Sequence, residues 1–386
     1  MIKAKYPTDK FQNIRTPFYY YDLDVLRKTL NEIKVLKLPE NYVVHYALKA
    51  NVNPALLAII KDAELGADCV SGGEIQAAVN AGFPASKIVF AGVGKADWEI
   101  NLALEHDIFC FNVESTAELE VINELATAKN KKARIALRVN PDVATSTHKY
   151  ISTGSAEDKF GINREELGNA IDLLPTLKNI ELIGLHFHIG SQITDMTDYH
   201  NLCVRIHEVQ NFFSKRDIHV KHINVGGGLG VNYGHPNHFP IPEFETYFKT
   251  FRDHLPLRPE QILHFELGRS IVAQCGSLIS RVLYVKEGTS KNFVILDAGM
   301  TELIRPALYD AYHRIENLTS DKETEIYDVV GPICESSDVF AKNFELNKTK
   351  RGDIFAIRTA GAYGETMASQ YNCRQLPKSV TSDELK

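Results

Sequence analysis

The sequence is short of several things, and each shortage removes a class of protein. Cysteine is sparse and scattered: the six residues Cys69, Cys110, Cys203, Cys275, Cys334 and Cys373 form no Cys-x-x-Cys pair. Neither a disulfide framework nor a zinc site is expected, and the thiols are read as reduced. No apolar run approaches the roughly 20 residues a membrane helix needs, and Met1-Ile2-Lys3-Ala4-Lys5 leads into no signal-peptide core. The expectation is a cytoplasmic protein with no membrane partner. Basic charge is also in deficit, 43 Lys and Arg against 49 Asp and Glu, giving a formal net charge of -6. That argues against nucleic acid as the main partner. Low-complexity tracts are absent, 44% of residues are hydrophobic and 24% are charged, as in an ordinary soluble globular protein. A length of 386 residues suggests about two domains.

What is present has a rhythm. An aromatic strand at 18–21 is closed by Asp22, and Leu23, Leu26, Leu30 and Ile33 follow at helical spacing. From Tyr42 onward, short apolar runs rich in β-branched and aromatic residues occur at 43–48, 67–70, 88–91, 108–113, 135–139, 183–189, 222–225 and 262–265. Segments of helical period lie between them, at 54–62, 73–81, 96–105, 116–128, 165–174, 199–213 and 243–254. Strand–helix alternation on this scale, with one more helix ahead of the first run, predicts a parallel (β/α)8 barrel of about 250 residues, an α/β fold. An open, doubly wound sheet is the alternative. The segment 141–160 is polar and aperiodic directly after the fifth strand, and is predicted to be an active-site loop. After Arg269 the pattern turns β-rich, with strands expected at 277–286, 292–297, 325–330 and 353–358. The expected division is 25–267 for the barrel, and 1–24 with 268–386 for a second, mostly antiparallel domain that the 18–21 strand joins.

In such barrels the reactive groups stand at the carboxyl ends of the strands. Val43-Val44-His45-Tyr46-Ala47-Leu48-Lys49-Ala50-Asn51 brings Lys49 there, with His45, Ala47 and Lys49 on one strand face by alternation. A solitary lysine would more simply face solvent. His186 and His188 are expected on one face of the sixth strand, as a stacking ring or as core, since further metal ligands at convincing spacing are missing. Gly226-Gly227-Gly228 lets backbone amides approach an anion, or merely makes a tight turn. Glu266 needs a partner at the end of its apolar strand: Arg269 in a structural ion pair, or a ligand nitrogen that it keeps protonated. Cys334 lies in Gly331-Pro332-Ile333-Cys334-Glu335-Ser336, whose polar flanks favour exposure over the core position usual for cysteine. A phosphate cradle, a strand-end lysine, a carboxylate and a stacking ring together describe a pyridoxal phosphate site, with lysine carrying the aldehyde as a Schiff base.

Six motifs in order, Tyr46-Ala47-Leu48-Lys49-Ala50-Asn51, His188-Ile189-Gly190-Ser191-Gln192, Gly226-Gly227-Gly228-Leu229-Gly230, Glu266-Leu267-Gly268-Arg269, Gly331 to Ser336 and Gly361-Ala362-Tyr363-Gly364, resemble the diaminopimelate decarboxylases. These are barrel-type, alanine-racemase-like pyridoxal phosphate enzymes, and the resemblance spans about residues 16–372. It implies that Lys49 is the Schiff-base lysine and that His188 stacks on the cofactor. It implies that Ser191, Gly227, Gly228 and the amides near Gly268 and Arg269 hold the phosphate, with Tyr363 nearby. Glu266 would pair with the pyridine nitrogen; alanine racemases have arginine there, so glutamate favours a full electron sink and decarboxylation. Arg269, Arg305, Tyr309 and Tyr363 would bind the retained end of the substrate, and Glu335 its distal ammonium. Cys334 would return the proton, reaching the site from a partner subunit of an obligate homodimer. The implied reaction converts meso-diaminopimelate to L-lysine and carbon dioxide. Relatives acting on ornithine, arginine or carboxynorspermidine, and a catalytically inactive homologue, are the competing readings. Two departures stand out: Leu267 where the family usually has proline, and an end at Lys386 soon after Tyr371-Asn372, implying a trimmed last element.

Overall fold

The computed structural model describes residues 6–143 and 159–386. Most of the 141–160 segment therefore lies outside the described residues. Two compact units emerge, one made of Leu30–Gly230 with Glu243–Gly268, the other of Met1–Thr29, Val231–Pro242 and Arg269–Lys386.

The first strand of the chain, β1 (Phe18–Tyr21), belongs to the second unit. The next eight close a barrel: β2 (Tyr42–Ala47), β3 (Gly66–Cys69), β4 (Ile88–Phe90), β5 (Cys110–Val113), β6 (Ala133–Arg138), β7 (Ile180–His186), β8 (His222–Asn224) and β9 (Ile262–Leu267). All neighbours are parallel, and closure comes from β2 on β9, with Val44 opposite Phe265 and Tyr46 opposite Leu267. That closure excludes the open sheet. Parallel strands buried on both faces read as continuous apolar runs, which is why each was visible in the sequence. Four of the barrel helices have starts fixed by side-chain caps. Asn53 accepts from the Ala55 N–H ahead of Pro54–Asp62, Ser71 from Glu74 N–H, Ser115 from Glu118 N–H and Asp195 from Thr197 N–H. Each cap contributes about 1 kcal/mol. Asp195 starts its helix at Met196, three residues before the expected 199.

Two local expectations fail. β2 ends at Ala47, and Lys49 lies in a single tight turn, Leu48–Ala50, so it does not share a strand face with His45 and Ala47. The turn is closed by Asn51 N–H donating to the Leu48 carbonyl at 3.0 Å and by the Tyr46 hydroxyl donating to the Asn51 carbonyl at 2.8 Å. Likewise β7 stops at His186, so His186 and His188 are not partners on one strand face. Leu267, the departure from proline, is fully buried as the last residue of β9.

The second unit carries an eight-stranded sheet. It comprises β1 with β10 (Gly276–Glu287), β11 (Asn292–Leu296), β12 (Ile315–Asn317), β13 (Thr324–Val330), β14 (Val339–Asn347), β15 (Ile354–Ile357) and β16 (Lys378–Thr381). The order is β12-β15-β10-β11-β13-β14, with β1 antiparallel to β10 and parallel to β16. The 18–21 strand thus joins this sheet, as its lack of a place in the barrel implies. Phe11, Phe18, Tyr20, Ile279, Ile354 and Ala356 form an apolar cluster here. β12, β14 and β16 escaped the sequence reading, because two are three or four residues long and β14 interleaves Lys, Asn and Glu with its apolar positions.

Candidate active site

Inside the barrel unit, β5, β7, β8 and β9 each send one side chain to the same point. The carboxylate of Glu266 is its centre. His186 Nε2–H donates to Oε2 at 3.0 Å, while Asn224 Nδ2 and Asn112 Nδ2 donate to Oε1 at 2.6 and 3.2 Å. All four residues are buried. Burial alone would push the Glu266 carboxyl up, but His186 with its hydrogen bond, then Lys49 and His188, outweigh it and hold the group below the usual carboxylate range. The partners of Glu266 are therefore barrel residues, where the plainer sequence reading had Arg269.

Around this anion the other expected barrel residues assemble. Half-buried Lys49 acts electrostatically on Glu266, His188 and Asp68. Gly227 N–H donates to His188 Nδ1 at 3.4 Å, and desolvation, then Lys49 and Arg138, press that imidazole well below 6.5. Gly226 and Gly228 take φ of 70° and 95°, open to glycine and strained for other residues. Gly227 has a different reason: a Cβ there would stand 1.8 Å from the Glu266 carbonyl oxygen. A Cβ on Gly268 would meet Ala47, just before the turn carrying Lys49, and Ala50, the last residue of that turn, each at 3.1 Å. Ser191 follows half-buried after His188. Asp68 on β3 was not foreseen. It is 1% exposed, and burial, then Glu266, raise its carboxyl well above the ordinary value.

The second unit holds a separate cluster. Arg269 Nη1 donates to the Tyr233 hydroxyl at 2.5 Å, and its guanidinium lies over the Tyr363 ring at 4.8 Å. Arg305 lies over the Tyr233 ring at 5.0 Å and donates through Nη1 to His313 Nε2 at 2.9 Å. His313 Nδ1–H in turn donates to the Arg358 carbonyl, so Nε2 is its accepting nitrogen. Burial, then Arg305, push this imidazole down to about 3. Burial would raise the Tyr233 phenol, yet Arg269 and Arg305 outweigh it and lower it below 10. Both arginines are buried, and Arg305 has no carboxylate partner among the described residues. Tyr309 ends the helix Arg305–Tyr309. Tyr363 itself holds a positive φ of 58°, an uncommon conformation for an aromatic residue.

Cys334 and Glu335 are exposed, as their polar flanks suggested. The Cys334 N–H donates to Asn372 Oδ1 at 3.1 Å, and the Tyr371 hydroxyl donates to Glu335 Oε1 at 2.6 Å. The sequence reading missed Tyr233, His313, Asn112, Asn224 and Asp68 entirely. The only signal for Asn112 and Asn224 was a lone amide inside an otherwise apolar run.

The donors on Glu266, the glycine cradle and the lysine turn fit a phosphorylated pyridine carrying an aldehyde, and comparison with known proteins agrees. The family of pyridoxal-dependent decarboxylases, by its pyridoxal-binding domain, matches residues 24–273. The diaminopimelate decarboxylase of Bacteroides thetaiotaomicron is 64% identical over 386 residues, covering all of both chains. That of Aquifex aeolicus is 40% identical over 364 residues, 94% of this chain and 86% of the relative. Among solved structures, diaminopimelate decarboxylase from Helicobacter pylori complexed with L-lysine superposes with a TM-score of 0.91 at 40% identity, covering 97% of this chain and 93% of that one. This chain belongs to the pyridoxal-dependent decarboxylases and, among them, to the diaminopimelate decarboxylases.

Proposed function

We infer that this chain converts meso-2,6-diaminopimelate to L-lysine and carbon dioxide, the last step of lysine biosynthesis, with pyridoxal 5'-phosphate as cofactor. The observation that carries the reading is the buried Glu266 carboxylate, kept ionised by three N–H donors and so able to hold a ring nitrogen protonated. The cofactor supplies an electron sink for the bond to the departing carboxylate. The chain's own residues do the rest. Lys49 would hold the cofactor covalently, His188 would lie against its ring, and Ser191 with the amides at Gly227, Gly228, Gly268 and Arg269 would bind its phosphate, with Tyr363 close by.

Arg305, a buried cation without a carboxylate partner among the described residues, favours a substrate with a second carboxylate to keep. Arg269, Tyr309 and Tyr363 would share that end, and Glu335 would take the distal ammonium. Ornithine and arginine have nothing to offer Arg305, and an inactive homologue has no need of both Lys49 and Cys334. Functionally, 25–267 would serve as the cofactor domain, while 1–24 and 268–386 would supply substrate-binding and interface residues. Exposed Cys334 and Glu335 suit delivery to the site of a second copy, which makes the working form a homodimer with shared sites. Cys334 would protonate the carbon left by carbon dioxide. No helix among the described residues is long and apolar enough to cross a membrane, and a cytoplasmic site of action is proposed with the pathway. Carbon dioxide release measured across diaminopimelate, carboxynorspermidine, ornithine and arginine tests the assignment. Turnover of ornithine equal to that of diaminopimelate overturns it.

A further inference from the structure

We propose that His186 is a positioning residue that occupies one lone pair of Glu266 Oε2 and leaves the other as the acceptor for the cofactor's ring N–H. The inference rests on the cofactor reading above and assigns, within it, the accepting atom and the residue that sets its basicity.

Each oxygen of an ionised carboxylate offers two lone pairs. Oε1 already receives two donors, Asn224 at 2.6 Å and Asn112 at 3.2 Å, and is saturated. Oε2 receives one, His186 at 3.0 Å, among the described residues. An incoming N–H therefore finds room on Oε2. The two amides carry no charge, so they stabilise the anion without neutralising it, and a cationic N–H remains the complement it lacks. His186 is fixed for this task by the sheet. It lies opposite Arg138 in the β6–β7 ladder, and its carbonyl accepts the Val139 N–H at 2.9 Å.

The consequence is a division of the proton. A carboxylate receiving three N–H bonds is a weak base, so the proton between ring and Glu266 stays on the ring nitrogen. Removing the His186 donor strengthens Glu266 as a base, and the proton moves toward Oε2. Glutamine in place of His186 offers an amide N–H at similar reach and restores the balance; leucine does not.

The experiment uses holoenzyme loaded with cofactor labelled with 15N in the ring, and reads the ring-nitrogen resonance with substrate absent. His186→Leu is expected to move that resonance toward the unprotonated pyridine position, and His186→Gln to leave it at the wild-type position. Turnover should fall about tenfold to a hundredfold for leucine and less for glutamine. Should His186→Leu not fold, Asn112→Leu removes a donor from Oε1 and is expected to shift the resonance in the same sense, by less. A folded His186→Leu, or in its place Asn112→Leu, with the wild-type resonance overturns the proposal. Glu266→Gln separates the two levels. If it moves the resonance while the donor variants do not, the positioning role fails and the cofactor reading stands; if Glu266→Gln also leaves it in place, the cofactor reading itself fails.

Discussion

Gly227 and Glu266 touch through their backbones: the space a Cβ would need on the glycine is filled by the Glu266 carbonyl oxygen, 1.8 Å away. The loop that would cradle phosphate is thus the same loop that seats the strand carrying the carboxylate. Gly227→Ala should damage both together. Relieving such an overlap costs about 1–3 kcal/mol in packed structure. The expected result is a lower denaturation midpoint and weaker uptake of pyridoxal phosphate by the apoprotein. An alanine variant with wild-type midpoint and uptake would show that the contact is not rigid.

Lys49 should be the residue that makes the protein yellow. Lys49→Ala is expected to lack the borohydride-reducible visible absorbance of the wild type, while the barrel stays folded, because the side chain is only half-buried and stands in a turn, not in the strand. Persistence of the reducible band in the variant would assign the covalent link to another lysine.

Arg305 should act on binding more than on chemistry. Its guanidinium is buried among Tyr233 and His313, so it is aimed before the substrate arrives. Arg305→Met is expected to raise KM for diaminopimelate about tenfold to a hundredfold, the equivalent of a charge-assisted pair of ~1.5–3 kcal/mol, with kcat less affected. Arg305→Lys should not restore it, since a point cation cannot replace a planar fork held by a ring and an imidazole. A KM unchanged by both substitutions would move the carboxylate site elsewhere.

Cys334 should be needed for turnover and dispensable for cofactor. Cys334→Ala is expected to retain the visible absorbance and to lose activity by at least about a hundredfold. Mixing Cys334→Ala with Lys49→Ala, each inactive alone, should restore part of the activity if sites are shared between subunits. No recovery after verified subunit exchange would place both residues in one copy's site.

Legibility followed chemistry and distance along the chain. Lys49, Glu266 and the glycines were visible because each sits at the end of an apolar run, where polarity is conspicuous. The partners of Glu266 were not, since Asn112 lies 154 residues away and meets it only when the barrel closes. Tyr233 was hidden differently: in Asn232-Tyr233-Gly234-His235 it reads as an ordinary polar turn, and its segment Val231–Pro242 belongs with the second unit. The placement of Lys49 on a strand face failed because alternation says nothing of where a strand stops; the Tyr46 hydroxyl on the Asn51 carbonyl decides that.

The buried histidines, His188 and His313 of the two clusters among them, give the protein a pH limit on the acid side. His264 lies between His45 and His222, with ring nitrogens 2.9 Å apart on each side, so every bond needs one nitrogen protonated and the other bare. Burial, before any charge, pushes His45 and His222 down to about 4 and His313 to about 3. The sign follows from the unfolded value of about 6.5. Below it the unfolded chain binds protons that the folded chain refuses, so stability is full above 6.5 and falls as pH drops toward 4. Each histidine contributes up to about 1.4 kcal/mol per pH unit in that window, less for half-buried His222. Glu266, held below its ordinary range, loses its contribution only below about 4.5 and does not enter. The denaturation midpoint should therefore decline steadily from pH 6.5 to 5, and His45→Gln should decline less steeply by one imidazole's share. A flat wild-type profile across that window, or an unchanged slope in the variant, would mean that the three rings accept protons without unfolding.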